Sequence, residues 1–125
     1  NRYLGMKTHK DLLVWQKAID FVTEIYKFTS DFPSHEIYGL TSQLRRASIL
    51  IPSNIAEGSA RNSDKEFVRF LYIARASASE AETQLIISEN LGYLPTNTST
   101  LKEGLLSISK MLTALIHKIN KRING

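Results

Sequence analysis

The side chains with chemical potential in this sequence are three histidines, two closely spaced glutamates, a serine beside a glycine, and several basic residues. A carboxylate-bridged dimetal site in a helical scaffold needs Glu-x-x-His pairs, and none of His9, His35 and His117 has a Glu three residues before it. Glu80 and Glu82 have the types of a hydrolytic carboxylate pair, but two residues apart on a helix they diverge by about 200° and do not converge on one substrate. Gly58-Ser59-Ala60 lacks the flanking glycines of a nucleophile elbow, and no glycine-rich phosphate loop or dinucleotide fingerprint occurs. With no cysteine, a thiol nucleophile, a thiolate zinc site, an iron–sulfur cluster and a disulfide scaffold are all excluded. The expectation is a protein that is not an enzyme, with no catalytic residue, no cofactor, no metal and no evident small-molecule substrate.

What remains is charge. The 125 residues carry 16 Lys and Arg against 12 Asp and Glu, a net of +4. That sum is too modest to declare a nucleic-acid binder, so its distribution matters more. Residues 96–125 alone carry +4, mostly from Lys118, Lys121 and Arg122 against the lone Glu103. Cations in the last turn of a helix also complement its dipole, so that cluster has a structural reading beside the binding one. The candidate nucleic-acid contacts are Arg45, Arg46, Arg61, Lys118, Lys121 and Arg122. Most aromatic residues fall on stripes predicted as core, so no base-stacking platform is expected. Asn97-Thr98-Ser99 matches a glycosylation sequon by pattern only.

These residues need elements to place them, and the pattern supplies four helices. Three breaks rich in Pro, Gly, Ser, Asn and Asp interrupt the chain, at residues 30–34, 58–62 and 92–97. They separate segments from about Asp11 to Thr29, Ser34 to Glu57, Ser63 to Gly92 and Thr98 to Ile123. The third opens on a predicted capping box, Ser63 with Glu66, and stops on Gly92; Thr100 with Glu103 offers a second box for the fourth. Each segment repeats apolar residues at spacings of three and four, as in Leu101, Leu105, Ile108, Leu112, Leu115 and Ile119. No alternating strand pattern occurs. The predicted fold is all-α, an up-down-up-down four-helix bundle in one domain over residues 11–125. Residues 1–10 read as an N-terminal extension, with Asn1 to Gly5 a remnant ahead of a natural start at Met6-Lys7. No run approaches the roughly 18 apolar residues of a membrane span, and the expected compartment is the cytoplasm.

Two helices exceed that plan. The first carries one apolar stripe at Leu12, Trp15, Ile19, Val22 and Tyr26 and a second at Val14, Ala18, Phe21, Ile25 and Phe28. One core seam needs little more than 100° of arc, so the second stripe, represented by Val14, Phe21, Ile25 and Phe28, is assigned to a subunit interface, the alternative being that this helix is simply the most buried of the four. The small residues from Ala74 to Ala81 are read as weak support for a close contact with another chain. In the second helix Pro52 predicts a kink or a restart, because its ring removes a donor and crowds the carbonyl of Ser48. Arg46 and Glu57, eleven residues apart, are expected to be partly buried and to satisfy each other or the backbone groups freed by Pro52, with Ser53 and Asn54 as further capping candidates and Gly58 ending the motif; the alternative is a ligand or partner site at the kink.

The residues Asp11 to Ala18, Phe32-Pro33 with Glu36 to Leu40, Gln43 to Ala47 running into Ile51-Pro52-Ser53-Asn54-Ile55-Ala56-Glu57-Gly58, Glu66-Phe67, and Glu80 to Leu85 resemble those of the 23S rRNA intervening-sequence proteins, also called ribosomal protein S23-like. The arginine pair followed by the Pro–Asn–Glu–Gly run is the most specific part. The resemblance implies a left-handed bundle assembled as a ring-like homopentamer, with some bacterial members encoded inside insertions in 23S rRNA genes. It implies no established activity. The expected partners are therefore the chain itself, with RNA or a nucleoprotein as a further partner. The alternative is a protein–protein adaptor with no nucleic-acid role.

Overall fold

In a computed structural model that describes residues 8–95 and 98–125, the chain forms four helices: α1 Leu13–Thr29, α2 Leu40–Ser59, α3 Asp64–Asn90 and α4 Ser99–Asn124. The proposed start at Met6-Lys7, the Asn1–Gly5 remnant and Asn97 of the sequon lie outside the described residues. Each helix packs on its sequence neighbours, and α4 returns to α1. Among the described residues no backbone contact crosses either diagonal. The result is a square four-helix bundle with antiparallel neighbours and two ends. One end, called here the α2–α3 end, gathers the start of α1, the end of α2, the start of α3 and the end of α4. The opposite end carries the α1–α2 and α3–α4 connections.

Local chemistry sets the helix limits. Thr8 and Asp11 form a reciprocal capping box around a 3-10 turn at His9–Asp11, which delays α1 to Leu13. A second 3-10 turn at Ser34–Glu36 delays α2 from the expected Ser34 to Leu40, where Glu36 Oε1 accepts the Leu40 backbone N–H at 3.2 Å. Ser63 caps α3 by accepting from the Glu66 N–H at 3.1 Å, but the Glu66 carboxylate turns to Arg69 and leaves the box half made. Gly92, at φ +76°, ends α3 with the paired bonds Gly92 N–H to Glu89 O and Tyr93 N–H to Ser88 O, both 2.9 Å. The second predicted box is not used, because α4 is anchored from α3. Thr98 donates to Glu89 Oε2 at 2.9 Å, and Lys102 Nζ meets Glu89 Oε1 at 2.6 Å.

The core corrects the reading of α1. Val14, Ala18, Phe21 and Ile25 are buried inside the bundle, and half-buried Phe28 packs against them. The stripe assigned to a subunit interface is thus the protein's own core. The first stripe lies on the α2 side of the helix, half covered, with Ile19 and Tyr26 exposed. Periodicity gave two candidate faces without saying which one the other helices occupy. The small residues of α3 are likewise internal, since Ala74, Ser77, Ala78 and Ala81 are buried in the bundle.

Pro52 neither ends nor restarts α2, which is helical from Leu40 through Ser59. Burial holds it there: Ile51, Pro52 and Ile55 all sit in the interior. Ser48 and Asn54 fold their polar groups back onto the helix, Ser48 Oγ to Leu44 O and Asn54 Nδ2 to Leu50 O, each at 2.7 Å. Gly58 has a packing reason, because a Cβ there would come within 2.7 Å of Phe70 Cβ and 3.1 Å of Phe67 Cδ1. The end of α2 therefore lies directly on the start of α3.

With Phe21 in the core, Phe21→Ala is expected to destabilise the fold by about 3–5 kcal/mol through lost burial and a residual cavity. Urea unfolding followed by circular dichroism checks this. A loss below about 1 kcal/mol would put Phe21 back on a surface.

Candidate nucleic-acid interface

The six basic candidates do not form one patch. Arg61 follows α2, and Lys118, Lys121 and Arg122 close α4, so these four share the α2–α3 end. Arg45 and Arg46 lie in the other half of α2, beside α1. When each helix is divided at its midpoint, the half at the α2–α3 end holds nine Lys and Arg against five Asp and Glu among the described residues, a net of +4. The opposite half holds five against seven, a net of −2. The bundle is electrically polar along its axis.

The individual cations differ in what already holds them. Arg61 Nη2 meets Glu57 Oε1 at 3.2 Å, and its guanidinium lies 4.8 Å from the centre of the Phe70 ring. Arg69 packs on the same ring at 4.5 Å and binds Glu66 at 2.8 Å, a hydrogen bond that pulls the Glu66 carboxyl below its ordinary range and raises the arginine. Lys118 and Lys121 are exposed and make no ion pair among the described residues. Arg122 is exposed beside them at the negative end of the α4 dipole. Arg45 donates from Nε to Thr29 Oγ1 at 2.8 Å and lies 4.5 Å from the Tyr26 ring centre. Arg46 is exposed.

The expected Arg46–Glu57 pair does not form. Both side chains are exposed on the continuous α2, and Glu57 pairs with Arg61 one turn further on. Of the motif read around Pro52, then, Pro52 and Gly58 serve packing, Asn54 serves the backbone, and Arg46 and Glu57 are surface groups. Most of the described aromatics are buried or half-buried, as expected, but Tyr26, Tyr38 and Tyr72 are exposed, Tyr38 at 94%. Tyr38 lies in the turn ahead of α2, where helical periodicity carries no information.

The opposite end is tied by a cluster that sequence patterns did not single out. Tyr93 donates its hydroxyl to Glu36 Oε2 at 2.9 Å and packs its ring on Phe32. With the Leu40 N–H on the other oxygen, Glu36 is held below its ordinary carboxylate pKa, first by that backbone bond and then by Tyr93. The same bond raises the Tyr93 hydroxyl. This joins the α1–α2 connection to the α3–α4 connection. Among the described residues no group of three or more His, Asp and Glu could hold a metal, and no helix is long and apolar enough to cross a membrane.

The family model described as 23S rRNA-intervening sequence protein matches residues 10–114. The chain belongs to this family. The match takes in α1 to α3 and the first part of α4, including Arg45, Arg46, Arg61 and the whole Pro52 motif. It ends before Lys118, Lys121 and Arg122, so the strongest basic cluster lies beyond the stretch that defines the family. The family is not a known enzyme family. No curated protein matches the chain at the level that supports kinship.

Two outcomes test these placements. Glu57→Ala is expected to change stability by no more than about 0.5 kcal/mol, like Glu24→Ala, because each breaks only an exposed ion pair. A clearly larger loss in denaturant unfolding would restore a buried role. For Glu36, a lowered native pKa means stability that is present above the ordinary carboxylate range and lost as pH falls through the native value. Tyr93→Phe is therefore expected to flatten the acid loss of stability below about pH 5, measured as unfolding midpoint against pH. Superimposable profiles would refute the coupling.

Proposed function

We propose that the protein is a non-enzymatic, homo-oligomeric bundle, assembled as a ring of five, that binds RNA or a nucleoprotein through the cations of its α2–α3 end. The observation that carries the reading is the polarity of charge, with Arg61, Lys118, Lys121 and Arg122 gathered at one end and carboxylates in excess at the other. A single copy offers few cations. A ring of five parallel copies presents each of them five times on one rim, and linked weak contacts gain strength through effective concentration. The excess of carboxylates on the far rim would keep phosphate to one side and orient the ring on its partner. The family description directs the choice of ligand, and the working compartment is the cytoplasm.

A second reading, a protein–protein adaptor, is favoured by the exposed apolar residues between α1 and α2, with Tyr26, Ile37 and Ile49 in one depression.

A salt titration of binding to a structured 23S rRNA fragment tests the first reading. Affinity is expected to fall steeply with salt, log K losing about 0.7 to 0.9 per log unit of salt for each phosphate contacted. The Lys118→Glu, Lys121→Glu, Arg122→Glu variant is expected to lose about tenfold or more, while Arg45→Ala retains binding. No binding at low salt, or equal binding by the triple variant, would refute the reading and leave the adaptor in front.

A further inference from the structure

Two exposed faces of this bundle are unlike each other and complementary. The first lies between α1 and α2: Tyr26, Ile37 and Ile49 are exposed there, and Arg45 and Arg46 line the same depression, which has a volume of about 480 Å³ and no carboxylate in its wall. Val22 and Ile49 extend it toward the middle of the bundle. The second runs along the outside of α3, where Tyr72, Ile73, Ile86 and Ile87 are exposed at spacings that share one side of the helix, with Glu80 among them. Glu80 makes no ion pair among the described residues and is approached only by Gln84 Nε2 at 3.4 Å. The nearby arginines are engaged elsewhere, Arg69 with Glu66 and Arg75 with Thr113 and the Tyr72 ring. One face is thus apolar with arginines, and the other is apolar with a glutamate.

The faces also match in height. The α2–α3 connection is four residues long, so both helices can be measured from the same end. Ile49 lies ten residues before the end of α2 and Ile73 nine residues after the start of α3, about 15 and 14 Å from that end at about 1.5 Å per residue. Arg46 lies thirteen residues back and Glu80 sixteen residues on, about 20 and 24 Å up by the same rise. A copy of the chain set alongside in the same orientation brings Ile73 to the level of Ile49 and Glu80 to the level of Arg46. Within one chain the faces cannot meet, because α1 and α3 sit on a diagonal of the square.

We propose that a second copy of this chain covers the α1–α2 face with the outer face of its α3, apolar on apolar and Glu80 opposite Arg46. The inference rests on the reading that the chain self-assembles, and it adds which surfaces do so. The two patches differ and lie on different sides, so the contact is heterologous. It repeats head to tail, leaves the basic end of every copy on one rim, and does not terminate at a two-fold dimer.

Gel filtration with light scattering tests this on the full chain at micromolar concentration. Wild type is expected above monomer mass. Ile49→Asp and Ile73→Asp, both at exposed positions, are each expected to run as monomers with unchanged helical circular dichroism. Mixed in equal amounts they are expected to form a dimer, because one intact α1–α2 face then meets one intact α3 face. Arg46→Glu is expected to weaken assembly, and adding Glu80→Arg in the same chain to restore it. A monomeric wild type would overturn self-assembly itself. An assembled wild type whose mass survives in either aspartate variant, or a charge swap that restores nothing, would overturn this interface and leave self-assembly standing.

Discussion

The close seating of α2 on α3 is the constraint from which the other features follow. Gly58 brings the last turn of α2 against Phe67 and Phe70 with no side chain between them, and the connection to α3 needs only residues 60–63. A methyl group at that point would meet backbone-anchored atoms rather than a flexible tip, so it would separate the helices instead of being absorbed. The contact fixes how far each helix has slid along the other. It thereby sets the heights of Arg46 and Glu80, and it places Arg61 over the ring that Arg69 also covers. The small residues of α3 and the buried Pro52 belong to the same economy of space, since each lets the core pack with little bulk.

How much of this was legible in the residues depends on the range of the interaction concerned. Helix number, the breaks between helices, the glycine stop at Gly92 and the Ser63 cap were readable, because periodicity and capping are settled within a few residues. The starts of α1 and α2 were not. Asp11 and Glu36 act on backbone groups through 3-10 turns that mimic a helical first turn in sequence. The start of α4 depends on Glu89 of a different helix, which no local pattern reports. The same limit explains the exchange of stripes on α1. Both stripes are periodic and apolar, and Val14, Phe21 and Ile25 became core only because α2 and α4 close on that side.

The basic residues show the limit from the functional side. Their types and numbers were visible, and the C-terminal excess was correctly placed along the chain. Sequence distance put Arg61 far from Lys118, yet antiparallel packing returns both to one end; Glu57 of α2 meets Arg61 rather than Arg46. Eleven residues make about three turns on an ideal helix, which aligns two side chains in angle but leaves them about 16 Å apart along the axis. An ion pair needs closeness on both coordinates. A partner one turn away therefore won.

Net charge, finally, is a poor summary of a bundle built this way. A sum of +4 over the whole chain suggests a weakly basic particle, but the described residues carry +4 at one end and −2 at the other. At physiological salt, charges separated by more than about 8 Å are largely screened, so a polyanion approaching the α2–α3 end senses mainly that end. The sides of the bundle carry the exposed apolar strips of α1–α2 and α3, where a charged rim would be a disadvantage for packing. The basic end and the apolar side strips are thus separate surfaces of one small bundle, and a change at Lys118 leaves the side faces as they are. In the proposed ring, that separation would let repetition multiply the basic end without consuming it.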